Sequence, residues 1–136
     1  MGERLKLTMF QCGSPVFPGQ GLRIGVTRRP PRGVKKERWQ QEGYFDIWMP
    51  ALAPSEELLK EIKRYDLEIP AQRGRFFDRY ERELLGRAES RQTVELIAAI
   101  AAQLPVSIGC YCEDEMRCHR SRLYSILQRS ASGKSA

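Results

Sequence analysis

The most informative stretch of the chain is Pro105-Val-Ser-Ile-Gly-Cys-Tyr-Cys-Glu-Asp-Glu-Met-Arg-Cys-His-Arg120. Its apolar run over residues 105–111 predicts a buried strand, and the helical spacing of apolar residues over 119–129 predicts a final helix. A buried strand that leads into a helix is typical of an α/β sheet. Open α/β sheets build their functional sites at such junctions, so we expect a site within residues 112–120.

The other elements lie upstream of this stretch. Two runs that alternate apolar with polar residues, and one aromatic run, predict strands over residues 5–11, 22–27 and 44–49. Amphipathic runs predict one helix that Ser55 caps and two more over 72–85 and 90–104. Together they predict a single α/β domain over residues 1–129, with a partly parallel sheet covered by helices, and a disordered tail over 130–136.

The composition is that of a folded domain. A chain of 136 residues can bury about two-thirds of its unfolded surface in one core. Hydrophobic residues make up 41% and charged residues 29% of the chain, which excludes intrinsic disorder and a membrane-spanning segment. The formal charge of +6 favours anionic partners without selecting one.

The cysteines predict a reducing, cytoplasmic location. Three of the four lie within nine residues of one another, beside the only histidine, which fits a reduced site better than a disulfide framework. Residues 1–7 mix charged with apolar side chains and lack the unbroken apolar stretch of a secretion signal. We therefore expect a protein of the cytoplasm.

Cys112, Cys118 and His119 are the candidate catalytic residues. A helix N-terminus stabilises anions, so we expect the pKa of the Cys118 thiol to be lowered. His119 falls on the inward stripe of the last helix and is the candidate proton donor or acceptor. Because Cys118 and His119 are neighbours on that helix, they are not expected to face each other, and Cys112 with His119 is the better pair.

Arg28, Arg32 and Arg120 are the candidate anion-binding residues. Arg120 stands in a first helical turn, where its charge opposes the helix dipole by a few tenths to about 1 kcal/mol. Either an acid within residues 113–115 or a bound ligand can supply the compensating charge. If the strands that end near Thr27 and Cys112 run parallel, Arg28 and Arg32 reach the same edge and complete an anion pocket.

Zinc is an alternative use of the same residues. Cys110, Cys112, Cys118 and His119 are all zinc ligands by chemistry, although their spacing is not that of a standard finger. Our first interpretation has no cofactor, and it takes Cys110 and Cys12 as small core residues. The Cys-x5-Arg loop of thiol phosphatases is excluded, since Cys118 stands six residues after Cys112 and acids occupy the loop.

Three functions stay open at this point. The first is a protein that binds a phosphorylated or carboxylated molecule, as an enzyme with a thiolate or as a binding protein. The second is a nucleic-acid-binding module that uses the basic loop 28–38 for phosphates, with Trp39 or Tyr44 stacking on a base. The third is an interaction or regulatory protein without catalysis.

Several motifs in fixed order resemble the domain of unknown function 488 family, in its short YeaO-like branch. The resemblance runs from about Met9 to Leu127. It rests on Val-Thr-Arg-Arg-Pro-Pro-Arg-Gly-Val-Lys-Lys over residues 26–36, on the ending over 112–120, and between them on Ala53, Pro54, Ser55, Leu58, Phe77, Tyr80, Glu83 and Leu84. It implies an α/β fold and a shared site of arginines with cysteine and histidine.

Two positions depart from the family's pattern. Thr27 stands where the family has aspartate, and Pro30 stands where it has tryptophan. If that aspartate acts as an acid or base in relatives, the resemblance implies a lost or altered activity here.

Overall fold

A parallel sheet forms the centre of the computed structural model, which describes residues 5–131. Its four strands lie in the order β1-β4-β2-β3, and every pairing among them is parallel. The strands are β1 (Leu7–Gln11), β2 (Leu22–Gly25), β3 (Ile47–Trp48) and β4 (Val106–Cys110). The predicted α/β fold is confirmed, and the sheet is parallel throughout rather than in part.

Four α-helices accompany the sheet in the described part of the chain. They are α1 (Glu56–Lys60), α2 (Pro70–Gly86), α3 (Ala88–Ala101) and α4 (His119–Ala131). Their apolar faces join the strands in one main core, which includes Tyr80, Ile97 and Leu123. No helix within residues 5–131 has the length and apolar character needed to cross a membrane.

Strand β4 is one of the two inner strands of the sheet, because it pairs with β1 on one side and β2 on the other. All five of its residues are buried, as the apolar run had predicted. Gly109 is needed there, since a Cβ at this position would lie 2.3 Å from the ring of Phe10. The strand therefore holds the residues that follow it in a fixed place.

Several element boundaries differ from the prediction, among them those of β3, α1 and α4. The aromatic run over 44–49 pairs only at Ile47–Trp48, because Phe45 turns inward to cover Gly25 and Pro50 begins a 3₁₀ turn. Helix α1 ends at Lys60, where the N–H of Glu61 caps its last carbonyls, and a separate 3₁₀ turn follows. Helix α4 runs on to Ala131, and the rest of the predicted tail lies outside the described residues.

The parallel arrangement brings the carboxyl ends of the strands to one edge of the sheet. Cys12 follows β1 there, Thr27 lies two residues beyond β2, and Cys112 lies two residues beyond β4. Helix α4 begins beside the same edge, since His119 contacts the carbonyl oxygen of Val26. The predicted convergence of the residues after β2 and β4 is therefore present.

Candidate functional site

Three cysteines form a cluster at this edge, which we call the thiol cluster. The Sγ atoms of Cys110, Cys112 and Cys118 all lie within 4.8 Å of one another. Cys110 and Cys112 are two residues apart at the end of β4 and share a face. Cys118 has an extended backbone, with φ −107° and ψ 144°, and stands just before α4.

Cys110 was a small core residue in the first interpretation and a ligand in the zinc alternative. Its side chain is buried, as is that of Cys118, whereas Cys112 is exposed. Its two-residue spacing from Cys112 on a strand places both sulfurs on one side.

Hydrogen bonding within the cluster shifts the pKa values of Cys110 and Cys118 in opposite directions. Hydrogen bonds from the thiols of Cys112 and Cys118, and then from backbone N–H groups of Cys112 and Tyr111, lower the pKa of the Cys110 thiol to about 3. The pKa of Cys118 is raised instead, because its thiol donates to Cys110 and is buried. The expectation that the helix N-terminus lowers the pKa of Cys118 is therefore wrong.

His119 lies against the thiol cluster in a fixed orientation. Its Nε2 atom is 2.6 Å from the carbonyl oxygen of Val26, which can only accept, so Nε2 carries the proton. Burial lowers the pKa of His119 to about 4, so the ring is neutral at pH 7. Nδ1 is then an acceptor, and it lies 3.6 Å from the Sγ of Cys118.

Cys118 and His119 thus face each other, contrary to the expectation from the sequence. That expectation assumed that both residues lie on the helix, where neighbours diverge. The extended backbone of Cys118 places it before the first turn of α4 and turns its sulfur toward the ring. Tyr80 packs edge-on against the other side of the ring, with the two centroids 5.3 Å apart.

The predicted anion-binding arginines have three different environments. Arg28 lines the cavity beside the thiol cluster, and its guanidinium donates to the carbonyls of Pro54 at 3.1 Å and Pro50 at 2.9 Å. Arg32 is exposed and is not part of that cavity's wall. Arg120 is only 2% exposed and also lies outside the wall.

The compensation that Arg120 needs comes from the backbone. Its Nη1 donates to the carbonyl of Cys112 at 2.9 Å, while its buried Nε has no hydrogen-bond partner. No ion pair joins Arg120 to an acid of residues 113–115 in the described structure. The arginine therefore fixes the loop that carries Cys112.

The cavity has a volume of about 500 Å³ and opens beside the thiol cluster. Its wall carries four cationic side chains and one carboxylate, together with apolar side chains from α1, from α2 and from the segment between them. The charged residues are Arg28, Arg29, Lys60, Arg117 and Glu56, and the apolar ones include Leu59, Ile62, Leu67 and Phe76. Lys60 and Arg117 were not among the predicted site residues, although Arg117 lies within the stretch 112–120 where a site was expected.

Thr27 occupies the edge of this cavity. Its side chain is buried, and its hydroxyl donates to the carbonyl of Arg29 at 2.8 Å. The position where the family has an aspartate therefore faces the site but carries no ionisable group. Pro30 is exposed and is not part of the cavity wall.

Trp39, which follows the basic loop 28–38, is not free to stack on a base. The Trp39 ring packs edge-on against Phe45 with the centroids 5.1 Å apart, and its Nε1 donates to the carbonyl of Val34. This packing gives Trp39 a structural role.

The fold and the site define a small parallel α/β protein whose cavity is lined by three cysteines. The chain belongs to the domain of unknown function 488 family, because a family model described as the "Active DUF488-N3 subclade" matches residues 7–131. The resemblance to this family that the motifs indicated is thereby confirmed. Neither the curated proteins nor the solved structures gave a match.

Proposed function

We propose that the protein is a thiol-dependent enzyme whose cavity binds a molecule with an anionic group and an apolar body. The observation that carries this proposal is the thiol cluster, which lies in the wall of the cavity with the acceptor Nδ1 of His119 beside it. Thiols held together beside an acceptor, next to a concave surface, are typical of nucleophilic catalysis. The family description "active" supports the same proposal.

The cavity wall supports a ligand of mixed character. Lys60 has no hydrogen-bond or ion-pair partner within residues 5–131 and is available to an anion. Arg29 and Arg117 pair with Glu56 and Glu68 at 2.7 and 2.9 Å. Exposed pairs of this kind are worth little, so a ligand can exchange with them at small cost.

Cys112 is the member of the cluster that meets the ligand. It is the exposed cysteine of the described chain, and it lines the cavity. Its sulfur forms the bond to the electrophilic atom of the ligand, and its proton passes to a neighbouring sulfur of the cluster. The leaving group departs with the electron pair of the bond that breaks.

Alkylation of the reduced protein with iodoacetamide, followed by peptide mapping, tests the nucleophile. We expect Cys112, the exposed cysteine, to react before Cys12, which is buried and whose pKa burial raises to about 12. Slower alkylation of Cys112 than of Cys12 would contradict the proposed role.

A thermal-melting screen against nucleotides, phosphosugars, acyl phosphates and short oligonucleotides tests the ligand class. A ligand at a hundred times its dissociation constant adds about 2.7 kcal/mol of stability, which shifts Tm by several degrees. We expect Lys60→Ala and Arg117→Ala to reduce the shift and Arg32→Ala, which removes the same charge outside the cavity, to leave it unchanged. Equal losses in all three variants would show that the cavity is not the binding site.

The screen also separates the nucleic-acid alternative from the proposal. A shift with oligonucleotides alone, lost at high salt, would assign binding to the basic loop 28–38 instead.

A further inference from the structure

We infer that Cys110, Cys112 and Cys118 form a binding site for one thiophilic cation, Zn²⁺ or Cu⁺, and that the bound cation blocks the thiol chemistry. Cation binding stands on the thiol cluster alone. The blocking effect rests on the proposed function.

The spacing of the three sulfurs suits a single ion. A Zn–S bond of about 2.3 Å puts the sulfurs of a tetrahedral site about 3.8 Å apart. The Sγ atoms already lie within 4.8 Å of one another, so ligation needs a closing movement of about an ångström at most. Cys110, the last residue of β4, and Cys118, just before α4, are buried, whereas the exposed side chain of Cys112 has room to move.

The donor set selects the kind of cation. Within residues 5–131 the group contains three sulfurs and neither a carboxylate nor an imidazole. Thiolates favour Cu⁺ and Zn²⁺ over the hard cations Mg²⁺ and Ca²⁺, which need oxygen ligands. The Asp114 carboxylate caps the 3₁₀ turn Glu115–Arg117 and pairs with Arg117.

His119 stays outside this ligand set, which changes the four-ligand zinc site considered from the sequence. Its Nε2 is committed to the carbonyl of Val26, its Nδ1 contacts the Sγ of Cys118 at 3.6 Å, and it is not among the ligand atoms that lie within 4.8 Å of one another. The site therefore has three protein ligands. The open side faces the cavity, where a water or ligand atom can complete a tetrahedral Zn²⁺, whereas Cu⁺ needs no fourth ligand.

The surroundings favour a site with excess negative charge. Three thiolates and one Zn²⁺ or Cu⁺ leave a net negative charge on the cluster. Arg28 and Arg117 lie in the same cavity wall, and Arg120 binds the carbonyl of Cys112. These arginines offset the excess charge, and Arg120 holds the loop that carries Cys112, as outer-shell groups do.

A bound cation changes what Cys112 can do. Ligation occupies the sulfur lone pair that would otherwise attack the ligand in the cavity. The metal-free and metal-bound proteins therefore differ in thiol reactivity while sharing one fold.

Competition titrations of the reduced, metal-free protein test the inference. Zn²⁺ is titrated against a chromogenic zinc chelator, and Cu⁺ against a chromogenic copper(I) chelator, so that the two cations are distinguished. We expect one ion per chain, with affinity at least tenfold lower in Cys110→Ser, Cys112→Ser and Cys118→Ser. Cys12→Ser is the matched control, because it removes a buried cysteine outside the cluster, and it should bind like the parent protein.

Two outcomes would overturn the inference. One is failure of the parent protein to compete for either cation, and the other is an equal loss of affinity in Cys12→Ser. Cys112→Ser keeps the test decisive if the buried variants do not fold, since Cys112 is exposed. Circular dichroism of each variant establishes which ones fold.

The blocking effect is measured separately, by alkylation of Cys112 with and without one equivalent of the cation that binds. We expect at least a tenfold slower reaction of the metal-bound protein. Cation binding by a protein whose Cys112 is inert when metal-free would keep the metal site and contradict the proposed function. A reactive Cys112 in a protein that binds neither cation would support the proposed function and contradict the metal site.

Discussion

The Nε2 atom of His119 lies 2.6 Å from the carbonyl oxygen of Val26, and this bond joins the first turn of α4 to the end of β2. The Nε2 bond holds the fold together, whereas Nδ1 faces the thiol of Cys118. Substitutions that separate the two nitrogens can therefore separate stability from reactivity.

Replacement of His119 by glutamine and by leucine tests this separation. The glutamine amide can place a donor near the position of Nε2, so we expect His119→Gln to stay within about 1 kcal/mol of the parent stability. Leucine leaves the buried carbonyl of Val26 without a partner, which costs about 1–3 kcal/mol. Urea denaturation measures both variants, and equal destabilisation would argue against the bond to Val26.

Ser55 anchors the wall of the cavity to α2. Its hydroxyl accepts from the N–H of Leu58 at 3.1 Å and donates to the Glu83 carboxylate, which also accepts from the N–H of Ser55 at 2.8 Å. Loss of a side-chain cap costs about 1 kcal/mol, so we expect Ser55→Ala to lower the free energy of unfolding by about 1–2 kcal/mol. Ser125→Ala, on the exposed side of α4, is the control and should change it by less than about 0.5 kcal/mol.

Gly109 and Gly74 should respond in opposite directions to the same substitution. A Cβ at Gly109 would lie 2.3 Å from the ring of Phe10, whereas nothing lies within 4 Å of a Cβ at Gly74 in α2. We expect Gly109→Ala to destabilise by about 1–3 kcal/mol through overpacking and Gly74→Ala to stabilise by about 0.5–1 kcal/mol. Thermal melting of both variants checks the pair, and a neutral Gly109→Ala would show that the ring of Phe10 moves freely.

The Glu61–Arg79 pair gives the stability a pH dependence at the acid end. The hydrogen bond that Arg79 donates lowers the pKa of the Glu61 carboxyl below its ordinary 4.5. A carboxyl with a lowered folded-state pKa contributes stability above pH 4.5 and loses it as the pH falls through the folded value. We expect the Tm difference between the parent and Glu61→Gln to be constant above pH 4.5 and to shrink as the pH falls below it.

Glu56→Gln is the control for this dependence. Glu56 pairs with Arg29 in a more exposed setting, with side chains 57% and 77% accessible. Screening by water leaves such a pair worth little, so its Tm difference should stay small at every pH.

The sequence predicted which residues meet at the edge of the sheet better than it predicted the contacts that their side chains make there. Buried apolar runs and their helical partners identified β4 and α4, and parallel pairing then required Thr27 and Cys112 to share an edge. These features follow from the spacing of hydrophobic residues, which can be recognised in a single sequence. Predicting them does not require the orientation of any particular side chain.

The parts that failed depend on local backbone conformation. A single extended residue, Cys118, turned its sulfur toward His119, and helical geometry had predicted the opposite. Arg120 donates to the backbone carbonyl of Cys112, and no ion pair joins it to an acid of residues 113–115 in the described structure. Hydrogen bonds to the backbone leave no residue pattern, so a sequence alone does not reveal them.

The position of β4 between β1 and β2 also sets an order of assembly during synthesis. β1 and β2 do not pair with each other, and their shared neighbour begins at Val106, about eighty residues after β2 ends. A ribosome-bound chain that stops short of β4 therefore lacks the strand that joins β1 to β2, and the edges of β1 and β2 that β4 would cover are open. Such a chain is exposed to non-native pairing until the last strand arrives, and the thiol cluster cannot assemble before that moment.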